Sequence, residues 1–91
     1  MAVSPELYKA MQVYLQNVQQ LLDDVAEYVP DHRLREPRRL IDHGEAPLGM
    51  TQLAWVIHDE DIPVPESVVQ RLREYSDVED DYPDDLERRV L

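Results

Sequence analysis

The chain has no cysteine. This excludes disulfides, a thiol nucleophile and thiolate metal ligands, and it fits a reducing compartment. No apolar run approaches the roughly 18 residues a membrane helix needs. Residues 1–9 show no basic region followed by an apolar stretch, so the start does not read as a signal peptide; the expected location is the cytoplasm. Glycine occurs only at Gly44 and Gly49, too sparsely for a phosphate-cradling loop. Ser4, Ser67 and Ser76 stand in no nucleophile motif. His32, His43 and His58 form no His-Glu-x-x-His arrangement. The acidic runs Asp59–Asp61 and Asp77-x-Glu79-x-Asp81 lack the sixth-position glycine of a calcium loop, and Arg88 occupies the twelfth position of the second. Carboxylate pairs alone do not make a hydrolase, because that chemistry needs a cleft that desolvates one of them. The expectation is a protein with no metal, no cofactor and no enzymatic activity.

What is present is negative charge, unevenly placed. Residues 59–91 hold twelve Asp/Glu against four Arg, and residues 1–58 hold eight against five Lys/Arg. The last third therefore carries most of the net −11. Such a field repels nucleic acid and anionic membrane and attracts a basic partner at long range. Arg33, Arg35, Arg38 and Arg39 are too few to make a nucleic-acid patch against it. Arg33 and Arg35 read as neutralising Asp31, Glu36 or acids from elsewhere in the fold.

The apolar pattern is helical throughout. Ser4-Pro5 has the form of an N-cap followed by a first-turn proline. Leu7, Met11, Tyr14, Val18, Leu21, Val25 and Tyr28 then follow in alternating steps of four and three, one stripe of a long helix. Pro30 stops it near Tyr28. Residues 31–36 read as a charged connection, Pro37 as the start of a short second helix, and Gly44 as its end. Pro47 opens a third helix running to about Asp59, with Trp55 and Leu48 off its main apolar face. Ile62-Pro63-Val64-Pro65 cannot be helical throughout. A fourth helix is expected over 66–75. The segment 77–91 reads either as a disordered acidic tail or as a short helix begun by Pro83, with Leu86 and Val90 on one side. The chain thus divides into a helical domain, 1–76, and an acidic tail, 77–91. The fold class is all-α, a small bundle of about four helices.

One segment resembles a known family. His43-Gly44-Glu45, Leu48, Leu53 and Asp59-Glu60-Asp61-Ile62-Pro63-Val64 resemble the small immunity proteins of the Maf type and of contact-dependent inhibition, which belong to bacterial polymorphic toxin systems. The likeness spans roughly Leu40 to Leu72. The chain departs from it at Pro65, where an N-capping residue is usual, at Gly49, where alanine is usual, and in the tail. The resemblance implies a protein that binds and neutralises a cognate toxin domain, such as a nuclease, by blocking its basic cleft or mimicking its substrate. The shared residues themselves read as scaffold. Contacts to the partner are expected from Trp55, Asp59, Glu60 and Asp61 and from the tail acids Asp77, Glu79, Asp80, Asp81, Asp84 and Asp85. The alternative is an acidic adaptor or regulatory subunit that docks on a basic protein without inhibiting it. A third reading is a structural subunit assembling through the Leu7–Tyr28 stripe. A monomer is favoured over a homodimer, on the premise that the other helices cover that stripe.

Overall fold

The computed structural model describes residues 4–77 and 81–91. Among these residues the protein is all-α, with four helices: α1 Pro5–Val25, α2 Asp31–Asp42, α3 Ala46–Asp59 and α4 Glu66–Tyr75. A short 3-10 turn, Leu86–Arg89, follows. Glu79 and Asp80 lie outside the described residues.

The helix limits have local causes. The Ser4 hydroxyl accepts from the Leu7 amide at 3.2 Å, capping α1 as its sequence implies. Helix α2 ends on Gly44 at φ +81°, with the Glu45 amide closing back to the Leu40 carbonyl. Helix α3 ends the same way without a glycine. Asp61 takes φ +56°, and the Ile62 amide reaches the Ile57 carbonyl at 3.0 Å. Aspartate is among the few side chains that enter this left-handed region at modest cost.

Three expectations need correction. Helix α1 stops at Val25, one turn before Tyr28, and residues 26–29 form a turn. Residues 31–36 are the first half of α2, not a connection, and Pro37 lies inside that helix. A proline there forfeits one backbone hydrogen bond. In return, Leu34, Pro37, Leu40 and Ile41 are all buried on one face, and this burial is large enough to offset the loss. The premise that the bundle covers the whole α1 stripe also fails. Val18, Leu21, Leu22 and Val25 are fully buried, whereas Leu7, Met11 and Leu15 are roughly half exposed.

The core is formed by the second half of α1 with Leu34, Met50, Leu53, Ile57, Val68 and Leu72. Helices α2 and α3 meet closely at Gly49, where a β-carbon would lie 2.9 Å from the Pro37 carbonyl oxygen. Helices α1 and α4 are tied by the Tyr14 hydroxyl, which donates to the Tyr75 carbonyl at 2.6 Å, and by Arg71 to Asp24 at 2.8 Å. The Arg71 guanidinium holds the Asp24 carboxyl below the usual carboxylate range, with a smaller contribution from Gln20.

Candidate functional site

The segment after Asp81 is ordered against the bundle. The Val64 amide donates to the Arg89 carbonyl and the Leu91 amide donates to the Val64 carbonyl, both at 2.9 Å, so Val64 and Val90 pair as an isolated parallel bridge. Pro63 and Pro65 keep this stretch extended, which leaves both polar groups of Val64 free for the returning chain. Leu86 is fully buried in the core, and Tyr82 and Val90 pack against it. Residues 81–91 thus share the hydrophobic core of the helices.

Polar contacts hold the same strap. The Trp55 indole N–H donates to the Asp81 carbonyl. His58 turns both ring nitrogens to carboxylates, Nδ1 to Asp59 at 3.0 Å and Nε2 to Asp85 at 2.9 Å. Arg89 donates to the His58 carbonyl at 3.1 Å, and its Nε lies 2.8 Å from Asp61 as an ion contact without a well-directed hydrogen bond. Arg73 pairs with Glu87 at 3.0 Å, and its guanidinium stands 5.8 Å from the Tyr82 ring centre. Burial is the main cause that pushes the Tyr82 phenol up to about 12, with Arg73 pulling it down and Glu87 adding to the rise.

The strap brings together acids that are far apart in the chain. Asp59, Glu60 and Asp61 close α3; Asp81, Asp84 and Asp85 arrive with the strap through the contacts to Trp55, His58 and Arg89. Asp59, Glu60, Asp61, Asp81 and Asp84 are exposed. Part of this charge is met internally, Glu60 by Arg33 at 2.8 Å and Asp61 by Arg89. Asp81 and Asp84 make no ion pair among the described residues. Of these six carboxylates, Glu60 and Asp61 pair with a guanidinium among the described residues. Asp77 is exposed beyond the end of α4, and Glu79 and Asp80 lie outside the described residues.

Trp55 is neither a core residue nor a free one. It is partly buried, its ring stands edge-on to His58 at 5.2 Å, and it borders an open groove of about 310 Å³ between α2 and α3. His32, Arg33, Glu36 and Gln52 line the rest of that groove with Val56 and Asp59. Arg33 neutralises Glu60, and Arg39 pairs with Glu36, whose carboxyl it holds below the usual range. The Arg33–Glu60 pair matches the reading of Arg33 as neutralising an acid from elsewhere in the fold.

Sequence reasoning missed the strap's anchors. The sequence reads His58 as a surface or loop residue and Arg89 as a helix-terminal cation, because their strap contacts, His58 to Asp85 and Arg89 to Asp61, join residues more than twenty positions apart. The available signal was the Leu86/Val90 spacing after Pro83. No group of three or more His, Cys, Asp or Glu among the described residues is placed to hold a metal ion, and none of the described helices is long and apolar enough to cross a membrane. Comparison with family models, curated proteins and solved structures returns no match to this chain.

Proposed function

We propose that this protein is a non-catalytic binding protein whose acidic end docks on a basic protein surface, and that it acts as an immunity protein for a cognate toxin domain. The observation that carries the docking reading is the convergence of the α3-terminal acids with Asp81, Asp84 and Asp85 beside the partly exposed Trp55. Convergence matters because each charge's contribution falls with distance, so acids brought onto one surface act on a partner together. An acidic ridge steers a basic partner into encounter and makes association fast and salt-sensitive. An aromatic side chain at the margin of such a ridge is well suited to anchor the complex once it has formed.

The finer reading, immunity, is supported by the resemblance over Leu40–Leu72. The acids at the α3 end lie within that segment, and the strap adds to them. A basic cleft filled by this end would be closed to an anionic substrate. The test is co-expression with the product of the gene adjacent to this chain's. Rescue of growth together with co-purification of the two proteins supports immunity. Co-purification with the partner's activity intact would instead select the adaptor reading. Absence of any complex at low salt would end both.

A further inference from the structure

The geometry points to a symmetric homodimer formed through the N-terminal half of α1, a surface distinct from the acidic end. Leu7, Met11, Leu15, Val18, Leu22 and Val25 lie along one side of α1 at helical spacing. The bundle buries this stripe completely from Val18 onward. Before it, Leu7 is 54% exposed, Tyr8 59%, Met11 52% and Leu15 41%. The 21 residues of α1 span about 32 Å, and the 44 × 25 × 20 Å envelope is elongated accordingly. A few helical turns standing alone in water are marginal, because most helical stability comes from packing of the apolar face.

Charge selects the occupant. Between Ser4 and Leu22 the only charged residues are Glu6 and Lys9, which cancel, so the net −11 rests on the rest of the chain. A basic partner is drawn to the acidic end. Two copies of an acidic protein repel one another there and meet at least electrostatic cost across their neutral faces. The shape also fits a second copy. Beside Met11 and Leu15 is a hollow of about 240 Å³, closed on its other side by Ala46 and Pro47. If two α1 helices lie antiparallel with Met11 on the two-fold axis, Leu7 of each copy falls opposite Leu15 of the other. Leu7 then enters that hollow, twice, as a self-complementary interface requires. The helix dipoles oppose, which is favourable. The exposed apolar side chains would bury at most about 800 Å² in total, the size of a weak, transient interface. The dimer is therefore concentration-dependent, not obligate, and it holds whether or not the acidic end binds a basic partner.

Sedimentation velocity on the full chain should show a monomer–dimer equilibrium with rising concentration through the micromolar range. Met11→Asp should remain monomeric with an unchanged helical spectrum. Because the chain has no cysteine, a second measurement is clean. Met11→Cys should cross-link two copies under oxidised glutathione, whereas Val13→Cys, on the opposite side of α1, should not. A wild-type protein that stays monomeric throughout, a Met11→Asp variant that still dimerises, or equal cross-linking from the two cysteine variants would overturn the proposal.

Discussion

Gly49 and Tyr82 illustrate how single residues set the stability of this fold. Alanine at position 49 should gain about 1 kcal/mol in helix propensity. The structure opposes that gain, because the new β-carbon would lie 2.9 Å from a backbone oxygen and 3.1 Å from Ile41. Backbone cannot step aside as a flexible side chain does. Gly49→Ala should therefore destabilise the protein, by about 1–3 kcal/mol in denaturant unfolding. Glycine at this position thus has a packing cause. Tyr82 offers a pH test. Its hydroxyl is enclosed with no hydrogen-bond partner among the described residues, and its pKa rises from 10.0 to about 12. The folded protein keeps this proton longer than the unfolded chain does. The corresponding stability is complete below pH 10 and is lost as pH rises from 10.0 through about 12. Tyr82→Phe should be at least as stable as wild type at neutral pH. It should also lose less stability than wild type over that alkaline interval, as read from unfolding midpoints.

At the scale of elements, the strap behaves as a fifth structural piece, although it contains only one short 3-10 turn. It is held by a buried side chain, one backbone bridge and several ion pairs, and these do not contribute equally. The Arg73–Glu87 pair is more than half exposed on both sides, and such pairs are worth roughly 0–1 kcal/mol. Leu86 is fully buried; Leu86→Ala should cost about 2–5 kcal/mol. Trp55 is the only tryptophan and donates to the strap at Asp81, so its emission reports docking. Leu86→Ala should shift that emission to longer wavelength before the helical circular dichroism falls. If the emission and helicity transitions coincide, the strap and bundle unfold as one unit.

At the scale of the molecule, neutral and acidic surfaces are segregated. The first half of α1 is apolar and uncharged overall, whereas the acids of the α3 end and the strap share one surface. This separation lets binding be altered without unfolding. Asp81→Asn with Asp84→Asn removes two carboxylates that make no ion pair among the described residues. The double variant should retain its thermal midpoint to within about 0.5 kcal/mol of stability, because surface changes away from packed features are small. Its association with a basic partner should be slower at low salt and should depend less on ionic strength. Glu60 and Asp61 are less clean sites for such a test. Glu60 is tied to Arg33 and Asp61 to Arg89, whereas the left-handed backbone that Asp81 shares with Asp61 is one that asparagine also accepts.

The helices were legible in the sequence because their signals are local. Ser4-Pro5, Gly44, Pro47 and the Pro63/Pro65 pair mark helix ends through their own dihedral preferences, and α4 falls on the residues that its spacing implies. Helix α2 was only half legible. Its first turns carry one apolar residue, Leu34, and its proline is tolerated only because α3 buries the same face. The acidic bias of the last third was also plain, since charge is a property of composition. Which acids share a surface was decided by the tertiary structure alone. That depended on Leu86 finding the core and Val64 offering an unpaired backbone edge, both long-range events with no local code. The same holds for the uncovered half of α1. Its periodicity continues unbroken from Leu7 to Val25, and only the packing of the other helices determines where burial stops.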